Sequence, residues 1–328
     1  MKSKFPATFW TANTVELFER GAYYAVASFV VIYLNETLGM APTKSTFLNG
    51  TLLWGLIYFL PILSGTLADR FGFKKSLVLA FLLISLGYLT MGSLQRTWPA
   101  LIGGDPSRID YTLPAVAGIL LIGIGGSIVK PCISGTVQKT SGSNTTFGFA
   151  IFYMVINIGS MLGRTVSYFV RTHYGIPAIF SSVATTFALI GLLIVLFIYR
   201  EPLYQQPQAA SAVQKPKSAG EALKEMVIVL GKLRFVFFLV VISFFWFIYV
   251  QIYNLIPLYL RFIDKEAPVE LYTLMNPVMI VCFQLLLTRF SKAWSPLKSI
   301  MAGVGVTVVG MLLNIIPSLT SGGALQPI

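Results

Sequence analysis

Long apolar stretches separated by short polar segments dominate the hydrophobic pattern of this chain. Most of the stretches reach about 20 residues, the length that an α-helix needs to cross the hydrocarbon core of a bilayer. Nine of them can be placed, at about 8–34, 47–68, 76–94, 113–135, 146–170, 177–199, 234–260, 268–289 and 297–317. The pattern therefore predicts an all-α membrane protein with nine spans.

Composition supports the membrane class independently of the segment pattern. The chain is 55% hydrophobic and 11% charged, with a mean hydropathy of +0.76, whereas soluble domains are about 25% charged. The first apolar stretch carries charges in its middle, which a secretory signal peptide does not. Lipid is therefore an expected partner of most of the chain.

The net charge of +12 raises the question of nucleic-acid binding. Lys and Arg are concentrated in every second loop, on the side of the N-terminus, for example at Lys74, Lys75, Arg200 and Lys232. Such a bias sets the orientation of membrane proteins, with the basic loops in the cytoplasm. The surplus therefore predicts a cytoplasmic N-terminus, and no nucleic-acid partner is expected.

Charged residues inside the first predicted span are the strongest candidates for chemistry. The spacing of Glu16, Glu19, Arg20, Tyr23 and Tyr24 places all five on one stripe of a helix. Ionisable groups at membrane depth are costly and commonly mark an ion or substrate path. A static ion pair between Glu16 and Arg20 is the alternative interpretation.

A polar segment divides the chain after the sixth predicted span. Residues 1–200 are expected to form a six-helix bundle, 201–232 a cytoplasmic linker, and 233–328 a partial second bundle of three spans. Within the linker, Ser218 and Glu221 have the spacing of a capping box, which predicts a helix at the inner membrane surface or leading into the seventh span. This layout is typical of two-halved transporters.

The loop between the second and third predicted spans carries a recognisable motif. Its residues Gly65, Asp69, Arg70 and Gly72, followed by Lys74 and Lys75, resemble the loop signature of the major facilitator superfamily. We expect the two glycines to permit a tight turn and close helix approach, and Asp69 to pair with a cation or cap a helix. The resemblance implies the major facilitator fold, with a complete N-terminal bundle.

Two further motifs resemble the proton-dependent oligopeptide transporters within that superfamily. They are Glu16-x-x-Glu19-Arg20 with Tyr23-Tyr24, where Gly21 replaces the usual phenylalanine, and the fifth-span run from Phe149 to Met161. Lys130-Pro131 in the fourth span resembles an intramembrane lysine of the same family. The resemblance implies proton-coupled symport of di- or tripeptides, or of related small solutes, by alternating access.

The resemblance also implies roles for individual residues. Proton coupling would fall to Glu16, Glu19, Arg20 and Lys130. Substrate contacts would come from Tyr23, Tyr24, Tyr58, Asn157, Trp246 and Asn276. As the alternative, the tyrosines would serve in packing, and the two asparagines would form hydrogen bonds between helices. For Trp246 the alternative is a place in the protein core. Arg164 is expected to snorkel to the outer interface. No cofactor is implied other than the proton as coupling ion.

Departures from the family pattern keep other functions open. Val250 stands where the seventh helix commonly has a glutamate, Ala27 stands where a basic residue is common, and the chain stops after the ninth predicted span. A truncated C-terminal bundle is therefore expected. A proton-linked carrier of a non-peptide solute, or a chain without transport activity, are the alternatives.

Other expectations concern chemistry and location. No nucleophile, metal or cofactor pattern supports an enzyme. The resemblance is best accommodated by a monomeric, multi-pass protein of a bacterial cytoplasmic membrane.

Overall fold

The computed structural model describes residues 5–103, 105, 109–202, 219–291 and 294–313, and its regular elements within these residues are all helices. They are α1 (Ala7–Val26), α2 (Val30–Thr37), α3 (42–71), α4 (Phe73–Ile102), α5 (Thr112–Ser141), α6 (Thr145–Tyr174), α7 (Ile176–Phe197), α8 (Ala219–Leu230), α9 (Leu233–Ile263), α10 (Val269–Ser291) and α11 (Pro296–Leu313). The prediction of an all-α protein is confirmed.

Each predicted span coincides with helix, but not every span is one long apolar helix. Six helices among the described residues are long and apolar enough to cross a bilayer. The pair α1 and α2 would provide a seventh span, and α10 and α11 offer the shorter apolar segments Val269–Gln284 and Leu297–Gly310. The end of the predicted ninth span, 314–317, lies outside the described residues.

The first span is broken, where the sequence predicted one continuous helix. Residues 27–29 form a turn, and α1 and α2 meet there at an angle of 41°. The Phe29 amide donates to the Val26 carbonyl, 2.7 Å away, and the Ser28 hydroxyl bonds to Thr273 on α10. The break thus brings a polar side chain into contact with the second half of the chain.

Close packing of α1 against α6 forms the centre of the N-terminal bundle. A Cβ added at Gly159 of α6 would lie 2.5 Å from the Leu17 carbonyl oxygen, and one at Gly163 would lie 2.3 Å from that of Gly21. Real side chains cannot occupy such positions, so these glycines let the two backbones touch. α1 and α6 are therefore expected to move as one body.

The second half reaches the first through a few helices. α10 packs along α6, α9 contacts α2, and α8 contacts the inner end of α3 before leading into α9. Residues 203–218 of the predicted linker, including the capping residue Ser218, lie outside the described residues. The predicted helix after them is present as α8, while the three-part division of the chain stays a prediction.

Candidate functional site

Two glutamates and one arginine form a buried cluster on α1. Glu16, Glu19 and Arg20 are each almost completely buried. Arg20 binds Glu19 with two nitrogens: Nε contacts Oε2, and Nη2 donates to Oε1 at 2.7 Å. Its Nε lies 3.5 Å from Glu16 Oε1, whereas Glu16 Oε2 is buried without a hydrogen-bond partner among the described residues. The two carboxylates are therefore held unequally by one guanidinium.

Aromatic rings surround the cation of this cluster. The Arg20 guanidinium carbon is 4.9 Å from the Tyr23 ring centroid and 6.0 Å from that of Tyr24, within the range of cation–π attraction. Both tyrosines lie on the stripe of α1 that the sequence predicted. The structure thus brings the two predicted tyrosines to the predicted charges.

Lys130 contacts an aromatic ring and forms no described ion pair with the glutamates. Its ammonium nitrogen lies 4.1 Å from the ring centroid of Tyr58 on α3. The reach of Lys130 towards the cluster therefore stays a prediction.

Three predicted substrate-binding residues lie outside this cluster. The Asn157 amide donates to the Tyr153 carbonyl of its own helix at 2.8 Å. Asn276 is partly buried on α10. Trp246 is 51% exposed and packs against Phe245 and Tyr249 of α9, so the alternative that placed it in the core is wrong. Among the described contacts, none joins these three side chains to the charges of α1.

Arg164 is buried, and the expectation that it snorkels to the interface is wrong. Only 2% of it is exposed. Its Nε donates to Thr273 Oγ1 at 3.1 Å and its Nη2 to the Tyr253 hydroxyl at 3.2 Å, while Nη1 contacts Ser160. The guanidinium carbon lies 4.6 Å from the Tyr24 ring centroid. Hydrogen bonds to other helices offset the cost of burying the guanidinium, so the side chain does not need to reach water.

Tyr253 is a residue of this contact that the sequence analysis did not single out. Its ring lies 5.3 Å from that of Trp54, 6.4 Å from Tyr24 and 6.3 Å from Tyr249. For the burial of Arg164 a signal was available in the sequence: Asn157, Arg164 and Arg171 are spaced by seven residues, which places them on one face of α6. Tyr253 had no comparable signal, because Trp54, Tyr24 and Arg164 are distant from it in sequence.

The loop motif is only partly explained by its expected geometry. Gly72 has a φ of +87°, which confirms the tight turn. At Gly65, by contrast, an added Cβ would come no nearer than 3.8 Å to Pro131, so close helix approach does not require this glycine. Arg70 is exposed, 5.7 Å from the Phe71 ring centroid, and the Asp69 side chain lies outside what the structure describes.

Glu201 caps a helix end at this loop. Its carboxylate accepts hydrogen bonds from the backbone amides of Phe73 at 2.6 Å and Lys74 at 2.9 Å, at the start of α4. Negative charge at a helix N-terminus is favourable because the unpaired amides point at it. The end of the sixth span is thus tied to the loop motif.

Contacts between the two halves join the ends of helices that the predicted orientation places outside. Asn49 donates to Asn254 at 2.7 Å. Two ion pairs join Arg261 to Glu36, at 2.9 Å, and Arg171 to Glu270, at 2.5 Å. A small apolar cavity is lined by described residues of the N-terminal bundle, among them Tyr23, Val26, Ala27, Val30 and Trp54. The halves are therefore closed on this side.

A helical bundle with buried charges and a second group of helices packed across a polar seam defines a multi-pass membrane protein. The chain belongs to the Major Facilitator Superfamily, whose family model matches residues 14–326. This is a family of transporters. The superfamily that the loop motif predicted is confirmed.

Curated relatives include a solute carrier and a dipeptide and tripeptide permease. The chain is 25% identical over 244 residues to solute carrier family 15 member 1 of Canis lupus familiaris, covering 67% of this chain and 33% of the relative. It is 27% identical over 195 residues to dipeptide and tripeptide permease A of Escherichia coli K12, covering 58% and 35%. The matched region thus spans about a third of the curated relatives' length.

Solved structures share the fold. A transporter of the proton-dependent oligopeptide family in complex with 5-aminolevulinic acid has a TM-score of 0.69 at 17% identity, covering 97% of this chain and 78% of that one. A bacterial homologue of the human drug peptide transporters has a TM-score of 0.66 at 21% identity, covering 87% and 71%. The relatives and the fold are those of the family that the motifs of α1 and α6 resemble.

Proposed function

We propose that this protein is a proton-coupled symporter of di- or tripeptides or related small solutes, working by alternating access. The observation that carries the proposal is the unequal cluster of Glu16, Glu19 and Arg20 inside the first span. A cluster with one cation and two carboxylates has a site for an exchangeable proton. Ionisable groups at this depth are otherwise costly.

Glu16 is the carboxylate that would carry the proton. Glu19 is neutralised by the bidentate contact with Arg20, whereas Glu16 has one oxygen 3.5 Å from the guanidinium and one without a described partner. Protonation of Glu16 would remove its attraction for Arg20 and leave Glu19 as the sole anion. Any movement of Arg20 would then couple proton occupancy to the position of α1.

Substrate recognition would use the groups beside this cluster. Lys130 offers a cation for a carboxylate, and Tyr23, Tyr24 and Tyr58 offer hydroxyls and rings. Asn157, Asn276 and Trp246 would supply further contacts, although no described contact joins them to the cluster. The names of the relatives, a dipeptide and tripeptide permease among them, support small peptides as the substrate class.

A proton-linked carrier of a non-peptide solute is the second candidate. Val250 lies within α9 and packs, partly buried, against the core, where a carboxylate could have received a substrate amino group. Such a carrier would select a small anion that Lys130 can bind without an acidic partner opposite. Competition by a dipeptide library against small anions in counterflow separates the two candidates.

Gradient-driven uptake of labelled dialanine into proteoliposomes tests the proposal. We expect uptake that requires an inward proton gradient. Glu16→Gln should abolish the gradient-driven part while leaving dialanine exchange, because exchange needs the binding site without net proton movement. Glu19→Gln should impair both, since it also removes the main partner of Arg20.

The outcomes are separable. Gradient-driven uptake by a folded Glu16→Gln variant would contradict the role of Glu16. Absence of both uptake and exchange of dialanine, together with exchange of a small anion, would favour the second candidate.

A further inference from the structure

Arg164 is a buried cation whose described polar partners are all hydroxyls. Its nitrogens contact Ser160, Tyr253 and Thr273, and no carboxylate of the described residues lies within ion-pair distance of it. A buried guanidinium without a counter-ion is costly. An apolar side chain would pack at this position equally well. Packing alone therefore does not explain why a charged side chain stands here.

The partners of Arg164 belong to two different bodies. Ser160 lies one turn away on the same helix, and the Tyr24 ring lies on α1, which Gly159 and Gly163 lock against α6. Tyr253 and Thr273 lie on α9 and α10. Relative movement of the halves would therefore keep the first two contacts and break the last two.

Arg164 is also the inner end of a polar seam. Arg171 lies two turns further along the same face of α6 and pairs with Glu270, which lies one turn before Thr273 on α10. Thr273 additionally accepts a hydrogen bond from Ser28, at the break between α1 and α2, at 3.2 Å. The seam thus runs from the outer rim to the broken first span.

Hydroxyl partners suit a contact that has to form and break. Exchange of a protein hydrogen bond for one to water changes the free energy little, whereas a buried charge pair loses much more when one partner is withdrawn. Water entering an opened seam can replace Tyr253 and Thr273 around the guanidinium. Arg164 can therefore be satisfied both in a closed and in an opened arrangement.

We propose that Arg164 is a latch of the outer closure, which holds α9 and α10 to the α1–α6 body through the hydroxyls of Tyr253 and Thr273. The latch rests on the alternating-access part of the proposed function. It does not depend on what is transported or on the coupling ion.

Reaction of a buried cysteine on α2 measures the latch. Val30 is buried on α2, the helix that α9 contacts across the seam. Val30→Cys conserves volume approximately, and we expect it to react with an impermeant, charged thiol reagent added outside intact cells only when α9 moves away from α2. Cys132 and Cys282 are replaced by alanine and serine in this reporter chain. Arg164→Met removes the guanidinium, and Arg96→Met at an exposed site of α4 is the matched control.

We expect Arg164→Met to raise the labelling rate of Val30→Cys about tenfold, as the loss of two cross-seam hydrogen bonds would. Arg96→Met should leave the rate unchanged. Tyr253→Phe, which removes one hydroxyl, should give a smaller rise. Combined with Arg164→Met it should add nothing, because the bond is already absent. Unchanged labelling in Arg164→Met, or additive effects in the double variant, would overturn the proposal.

A second cysteine distinguishes opening of the outer side from unfolding. Cys132 is completely buried in α5, so in a chain that keeps Cys132 and lacks Cys282 its labelling reports loss of the N-terminal bundle. It should stay slow in Arg164→Met. If that variant does not fold, Tyr253→Phe and Thr273→Val decide the matter, since failure of both to raise labelling would equally contradict the latch. No substrate is present, so the result stands whether or not dialanine is transported.

Discussion

At the residue scale, the geometry of Arg20 determines how two carboxylates share one charge. A guanidinium is a planar fork that can bind one carboxylate with two nitrogens and still face another. This is the arrangement of Arg20, with Glu19 bound through two nitrogens and Glu16 at 3.5 Å. The same fork allows Arg164 to contact three hydroxyls at once.

Arg20→Lys tests the need for this fork. An ammonium group is a point charge and cannot replace both contacts of Glu19, so we expect the free energy of unfolding to fall by about 2 kcal/mol. Gradient-driven uptake should fall at least tenfold although the charge is kept. Thermal unfolding in detergent and dialanine uptake measure the two effects, with Arg96→Lys as control. Wild-type uptake in Arg20→Lys would show that charge alone suffices.

Sequence alone predicted the members of the α1 cluster but not which glutamate binds Arg20 more tightly. Helical periodicity places Glu16, Glu19, Arg20, Tyr23 and Tyr24 on one stripe, and they do lie together. Which glutamate binds Arg20 tightly depends on side-chain rotamers and neighbouring helices, which no spacing encodes. The hydrogen bond from the Asn157 amide to the Tyr153 carbonyl of its own helix is likewise a matter of rotamer, and the predicted substrate contact of Asn157 stays a prediction.

At the scale of helices, two glycines decide how α1 and α6 pack. Gly159 and Gly163 have the four-residue spacing of small residues at helix contacts in membranes. Backbone atoms of α1 occupy the space that side chains would need. Contact of this kind makes a rigid pair, on which both the charged cluster and Arg164 are mounted.

Gly163→Ala should separate the pair. The added methyl would lie 2.3 Å from the Gly21 carbonyl oxygen, and overpacking of this kind costs about 1–3 kcal/mol. Gly305→Ala on α11 is the matched control, because nothing lies within 4 Å of its added Cβ. We expect a clearly lower thermal midpoint for the first variant and an unchanged or higher one for the second. Equal midpoints would contradict the close packing described here.

At the scale of the whole molecule, charge bias and closure define its two sides. Basic loops on the N-terminal side support a cytoplasmic N-terminus, and we propose this orientation in a bacterial cytoplasmic membrane. The ion pairs Arg171–Glu270 and Arg261–Glu36 would then lie outside, and the Glu201 cap inside.

Cysteines at exposed positions test the orientation. Thr43→Cys should react with an impermeant thiol reagent in intact cells, while Phe71→Cys should react only after permeabilisation. The background lacks Cys132 and Cys282. The reverse pattern would invert the molecule and place the closed seam, with Arg164, on the cytoplasmic side.

The sequence by itself determined the class of protein, the positions of the spans and the charged stripe of α1. Bilayer thickness imposes apolar stretches of fixed length, and helical periodicity is local, so both can be recognised in one dimension. Only the tertiary structure decided the break at residues 27–29, the packing role of Gly163 and the burial of Arg164. Arg164 meets Tyr253 and Thr273 across 89 and 109 residues of chain, and contacts of that range depend on how whole helices pack.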